Sequence, residues 1–301
     1  MSTEKTNIVN EPKNTWGGAW TEKKLDAFSK YVKAYLRIMS NCPYWKTIYF
    51  DGFVGSGIRC KDIETNPSLY NKLFPSVSDN IDYKGAAERV LTLNEGFAFD
   101  FHYFIDCNEL SLAKLKSKLD KYQINHNYEF QYKCGDCNEE VINLANAMKS
   151  KPNDYAALAF LDPFGMQLNW NSIANLQNTR TDIWILVPTG VIVNRLLDKK
   201  GDLPHLKKLE SFFGIPEEEI RKQFYETKLQ KTLFGEDEII RKVNEPINKI
   251  ANLYIQRLKT IWRYVTEKPL VLCNSRNVPI FHFVFASNNK NALKIAKDII
   301  R

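Results

Sequence analysis

Four carboxylates stand at or just after the ends of short apolar runs, and each sits in a setting where chemistry is possible. Asp51 opens Asp51-Gly52-Phe53-Val54-Gly55-Ser56-Gly57, and Asp106 closes Phe104-Ile105-Asp106. Asp136 lies inside Cys134-Gly135-Asp136-Cys137, and Asp162 heads Asp162-Pro163-Phe164-Gly165. Three glycines within six residues after Asp51 need a physical reason, because glycine loses more freedom on folding than any other residue. A bare turn lets the main chain approach a ligand closely. A dinucleotide fingerprint G-x-G-x-x-G, counted from Gly55 and Gly57, would place its third glycine where Cys60 stands. A Walker loop is excluded as well, since no Gly-Lys-Ser/Thr follows.

The remaining pattern, an acidic strand end followed by a glycine turn, suits S-adenosylmethionine, whose amino-acid moiety is charged but carries no phosphate. On this expectation Asp51, Gly52, Phe53, Gly55 and Gly57 form the cofactor turn. Asp106 accepts from two ribose hydroxyls. Asp136 accepts from the adenine amino group, with Cys137 beside it. The alternative for Asp106 and Asp136 is that each caps the helix that follows.

In the fourth motif Pro163 removes an amide donor and biases Asp162 towards an extended backbone. Asp162, Pro163 and Phe164 are the candidate catalytic residues. Asp162 would accept a hydrogen bond from an exocyclic NH2, and Phe164 would stack on the base, an interaction of about 1–3 kcal/mol per base elsewhere. A base in a duplex would first be flipped out. The plainer alternative is a turn in which Asp162 caps a helix and Phe164 joins the core. Asp-Pro-Phe-Gly departs from Asp-Pro-Pro-Tyr of DNA amino-methylases and is similar to the motif of transfer-RNA guanine-N2 dimethyltransferases. The C-x-x-C of Cys134 and Cys137 has no second pair and no H-x-x-H beside it, so no metal site is expected.

These residues need a scaffold that brings strand ends together. Apolar runs at 47–51, 101–106, 128–132, 156–162 and 182–187 predict strands, separated by helical patterns. That alternation is the sign of a mostly parallel sheet with helices on both faces, in which ligands bind outside the carboxyl ends of the strands. Residues 20–39 predict an amphipathic helix through Leu25, Phe28, Tyr31, Val32, Tyr35 and Leu36. The stretch 61–82 is rich in Pro, Ser, Asn and Asp, and a helix is expected from about 85 to 97. Residues 270–273 and 280–285 flank Asn274-Ser275-Arg276-Asn277 and predict an antiparallel pair, followed by a closing helix over 291–301.

The expected fold is therefore α/β: a Rossmann-like seven-stranded methyltransferase sheet with a terminal antiparallel hairpin and a helical insertion. In this division 1–15 is a flexible leader, 16–201 the cofactor-binding core, 202–266 the helical insertion, and 267–301 the strands and helix that complete the core. Helices are expected in the insertion over 217–224 and 239–264, with no strand.

The net charge of +7 favours polyanionic partners. Lys207, Lys208, Arg221, Lys222, Arg241 and Lys242 of the insertion are the candidate contacts to RNA or DNA, the alternative being solvated helix faces. No apolar run approaches the roughly 20 residues of a membrane helix, and the polar opening is no secretory signal, so a cytoplasmic location and no membrane partner are expected.

Trp20 with Lys24-Leu25, Phe50 to Gly57, Phe104-Ile105-Asp106, Cys134-Gly135-Asp136, Phe160-Leu161-Asp162-Pro163-Phe164-Gly165 and Phe285-Ala286-Ser287 together resemble the three-Cys-motif partner protein family. The resemblance implies a bacterial protein of methyltransferase-like fold, with a radical S-adenosylmethionine protein as a possible partner. Two functions follow: an S-adenosylmethionine-dependent methyltransferase acting on a nucleic-acid amino group, or a partner or defence-associated subunit of the same fold that recognises nucleic acid or protein.

Overall fold

The computed structural model describes residues 19–55, 84–93, 96–123, 129–232 and 235–301. The chain builds a mixed α/β fold around an eight-stranded, mostly parallel sheet. Helix α1 (Ala19–Met39) leads into strand β1 (Lys46–Asp51). Then follow α2 (Ala86–Thr92), β2 (Phe101–Asp106), α3 (Glu109–Gln123), β3 (Glu129–Cys134), α4 (Cys137–Ser150) and β4 (Tyr155–Leu161). After α5 (Trp170–Ala174) and β5 (Thr181–Val187) the chain enters a π-turn, Thr189–Val193.

The sheet order is β3-β2-β1-β4-β5-β10-β8, where β8 is Tyr264–Val265 and β10 is Pro279–Ser287, with β9 (Leu270–Cys273) also paired to β10. Strands β1 to β5 run parallel, whereas β10 (Pro279–Ser287) runs antiparallel to β5. The expected terminal hairpin is present as β9 (Leu270–Cys273) and β10. The expectation of seven strands gives way to eight, because the two-residue strand β8 (Tyr264–Val265) also pairs with β10.

Period-two alternation sorts the central strands between two cores. Ile48 and Phe50 of β1, Ala157, Ala159 and Leu161 of β4, and Ile183 and Ile185 of β5 join one buried cluster with α4 and the later helices. Tyr49, Leu158, Phe160 and Trp184 lie on the opposite face with Phe28, Tyr31 and Val32 of α1. That side is mainly aromatic: Phe28 lies 4.3 Å from Phe160, and Tyr31 meets Trp184 edge-on at 5.5 Å. The predicted amphipathic helix thus covers the middle of one sheet face.

The insertion corrects the sequence expectation. Helices α6 (Leu206–Phe213) and α7 (Glu217–Phe224) are followed by an antiparallel hairpin, β6 (Tyr225–Thr232) and β7 (Gly235–Lys242). Helix α8 occupies Pro246–Leu258 instead of continuing from 239 to 264. The strand signal is weak because the hairpin carries alternating polar residues, with Leu229 and Ile240 largely exposed. Cross-strand pairs such as Glu226 opposite Arg241 support it in place of a buried apolar face. Helix α9 (Lys290–Ile300) closes the chain. Among the described residues, no helix is long and apolar enough to cross a membrane.

Candidate functional site

Parallel register brings the acidic residues to one edge. Asp51 is level with Phe104 of β2 on one side and Phe160 of β4 on the other, and Asp106 is level with Cys134. The carboxyl ends of β1, β2, β3 and β4 therefore share an edge. Between β1 and β4 the strand order reverses, which opens a crevice there in sheets of this kind.

Asp51 is almost fully buried. Its carboxylate accepts from the Tyr49 hydroxyl at 2.8 Å and from the Phe53 amide at 3.3 Å. Burial pushes its carboxyl up to about 7; those two hydrogen bonds oppose the shift, nearby Asp162 adds to it, and Lys24 opposes it. The turn that follows is tied to its neighbours, with the Gly52 amide donating to Phe160 O and the Val54 amide to Ile105 O, each at 3.0 Å. A Cβ on Gly52 would lie 2.6 Å from Cys137 Sγ and 3.0 Å from Leu161 Cδ2. Close packing of the protein on itself thus accounts for this glycine. Phe53 packs on the core and is partly buried, Gly55 is partly exposed, and Gly57 and Cys60 lie outside the described residues.

Asp106 is partly buried, which raises its carboxyl, and its Oδ1 accepts from the Asn108 amide at 2.8 Å. Asp136 is exposed and caps α4: its Oδ1 accepts from the Asn138 amide and side chain, both at 2.9 Å. Capping thus occurs at Asp136, as its alternative held. Cys137 opens α4 directly after Asp136. Its thiol is buried under Gly52, and burial, with Asp136 nearby, raises it well above the ordinary thiol range. Among the described residues, Cys134 and Cys137 are free thiols and no cluster of His, Cys, Asp or Glu is arranged to hold a metal.

At the end of β4, Pro163 is buried, while Asp162 and Phe164 are partly exposed. The Phe164 amide donates to Gln167 Oε1 at 3.0 Å, which fixes the turn. Asp162 does not cap a helix. Its Oδ2 accepts from the ammonium of Lys24, whose side chain is only 4% exposed against 24% for Asp162. The same ammonium lies 5.6 Å from the Trp20 ring and 5.9 Å from the Phe160 ring. Lys24 belongs to no chemical motif, but the sequence carries a signal for it: Trp20, Lys24 and Phe28 lie on one i, i+4 row of α1, so a lysine sits within an otherwise apolar stripe.

Next to this edge, β5 ends in the π-turn, a rare geometry common at functional sites. Thr189 Oγ1 and His282 Nδ1 meet at 2.8 Å, both buried. Burial holds the imidazole down at about 4. A Cβ on Gly190 would fall 2.1 Å from Pro279 O, so a glycine is required where this turn crosses the start of β10.

The six basic candidates of the insertion do not form one equivalent set. Lys242 Nζ donates to Asn194 O, Asn194 Oδ1 and Leu197 O at 2.5, 2.7 and 2.7 Å. Arg221 donates to Glu217 at 2.7 Å and to Gly201 O at 2.9 Å. Both thus bond to the protein's own groups, Arg221 with its side chain still 39% exposed. Lys207, Lys222 and Arg241 are exposed, and Lys208 is partly buried.

No family model matches the sequence, and no characterised protein matches it either. A solved structure of a Legionella pneumophila protein assigned to the family model DUF519 is similar at 13% identity, over 88% of this chain and 97% of that one, with a TM-score of 0.34.

Proposed function

We propose that this chain is an S-adenosylmethionine-dependent methyltransferase of Rossmann-like fold that acts on an exocyclic amino group of a nucleic-acid base, and that it is related to the three-Cys-motif partner proteins. One observation carries the reading: consecutive central strands end in Asp51 and Asp106, and Asp136 and Asp162 follow the next two, all on one edge of the sheet. Carboxylates accept hydrogen bonds and attract cations. The set suits a ligand that presents ribose hydroxyls, amino groups and a sulfonium charge, and it repels a pyrophosphate. The antiparallel β10 beside β5 supports the same plan.

Asp106 and Asp136 would hold the nucleoside, and the turn from Asp51 to Gly55 would line the amino-acid end. Bound there, the cofactor supplies an electrophilic methyl group. Asp162 then accepts a hydrogen bond from the acceptor amine and orients its lone pair, while Phe164 offers a face for the base. Lys207, Lys208, Lys222 and Arg241 remain as candidate phosphate contacts.

Calorimetric titration against S-adenosylhomocysteine and NAD tests the cofactor: the former binds and the latter does not. Transfer of labelled methyl to RNA or DNA tests the reaction, and Asp162→Ala lowers the rate by about 100-fold or more. Binding of NAD in place of S-adenosylhomocysteine would sink the reading. Binding without transfer to either nucleic acid would assign the chain to recognition instead.

A further inference from the structure

The buried Lys24 has a consequence for the reaction. Moving an ammonium out of water is costly, and a buried pair is often replaceable by apolar residues at no loss of stability. On the face of α1 that carries Leu25, Phe28, Tyr31 and Val32, all buried, the charge occurs where the helix begins and β4 ends. It points at the one carboxylate that follows the reactive strand end, through Oδ2. Among the described residues, Oδ1 of Asp162 accepts no hydrogen bond, and Asp162 is the more exposed partner.

We infer that Lys24 is the positioning residue of the reaction: it fixes Asp162 through Oδ2 and leaves Oδ1 to accept from the substrate, which makes the acceptor an amino group bearing N–H. The inference rests on the methyltransferase reading. An ammonium bound to one carboxylate oxygen fixes the direction of the group, so the other oxygen serves as a fixed hydrogen-bond acceptor. The amine nitrogen attacks the methyl carbon, the S–CH3 bond breaks to release S-adenosylhomocysteine, and the resulting cation gives its proton to water after transfer; a hydroxyl is a weak nucleophile until a base removes its proton before attack. Trp20 and Phe160 flank the ammonium, and the Trp20 ring lies tilted 5.2 Å from that of Phe281 of β10.

The pair also sets the local charge, and this gives a readout that needs no turnover. S-adenosylmethionine carries a sulfonium and S-adenosylhomocysteine a neutral thioether, so the ratio of their affinities reports charge near Asp162. Lys24→Met leaves the carboxylate uncompensated and raises the preference for the sulfonium by about five-fold or more. Asp162→Asn leaves the ammonium uncompensated and lowers the preference. Lys24→Arg keeps the ratio and most of the transfer rate, whereas Lys24→Met lowers kcat with little change in KM for the nucleic acid. A packing defect would weaken both cofactor forms equally and leave the ratio where it was. An unchanged ratio in Lys24→Met, or wild-type kcat in that variant, overturns the inference while the methyltransferase reading stands. If Lys24→Met does not fold, the Asp162→Asn arm decides alone, and a ratio that stays or rises refutes the role. A wild-type protein that binds neither compound removes the methyltransferase reading and this inference together.

Discussion

Replacing Gly52 by alanine separates a glycine kept for ligand approach from one kept for internal packing. The added methyl would meet Cys137 Sγ at 2.6 Å and Leu161 Cδ2 at 3.0 Å, where ordinary contacts begin near 3.4 Å. Relief requires a shift approaching 1 Å between the end of β1 and the first turn of α4, since the sulfur is buried and short. Overpacking of this kind costs about 1–3 kcal/mol, and each kcal/mol moves Tm by about 2–4 °C in a domain somewhat smaller than this one. Urea unfolding of Gly52→Ala, Cys137→Ala and the double variant is the assay. Removing the sulfur makes room for the methyl, so the double variant is more stable than the sum of the single losses predicts, by about 1 kcal/mol. Wild-type stability in Gly52→Ala, or strict additivity in the double variant, refutes the packing argument. Stability retained while affinity for S-adenosylhomocysteine collapses would return the glycine to the ligand.

Comparison of the wild type with Asp51→Asn isolates the pH dependence of stability that Asp51 contributes. Burial raises its folded carboxyl to about 7, against about 4 when unfolded, so its contribution is complete below the unfolded value and is lost as pH rises through about 7. Asp182, raised to about 6, acts in the same direction mostly at lower pH. His102 and His282, held by burial at about 3 and about 4, act oppositely, and their contribution is lost as pH falls below about 6.5. Between about pH 7.5 and 6.5 the two histidines nearly cancel Asp51 in the wild-type slope, so the difference is the readout: wild-type stability relative to Asp51→Asn rises as pH is lowered from about 7.5 to 6.5, and a difference that stays constant or falls would contradict the assignment. For Lys242, replacement by methionine strands the carbonyls of Asn194 and Leu197 and lowers stability by about 1–3 kcal/mol. Nucleic-acid affinity stays unchanged in that variant, and a shallower salt dependence would instead restore Lys242 to the binding surface.

Much of the fold is legible in the order of the residues. Five apolar runs alternating with helical patterns specify the parallel strands, because a buried β-strand needs both faces apolar while its crossover helix needs only one. The terminal hairpin follows from Asn274-Ser275-Arg276-Asn277, where Asn277 takes a positive φ of 56°. Strand β3 starts at Glu129 and runs to Cys134, later than the expected 128–132, because its Gln131, Lys133 and Cys134 are exposed on an edge and carry little periodic signal. The polar hairpin of the insertion was hidden for a similar reason.

The candidate site divides along the same line. The acidic strand ends and the Asp-Pro turn can be read from the residue order, since each is a local feature of one strand and the residues that follow it. What those groups touch depends on contacts between segments far apart in the chain. Parallel pairing of strands distant in sequence set Asp51 level with the end of β4, and the approach of α4 turned Gly52 and Cys137 into packing partners. Lys24 and Asp162 are 138 residues apart, and only the packing of α1 across the sheet brings them into contact.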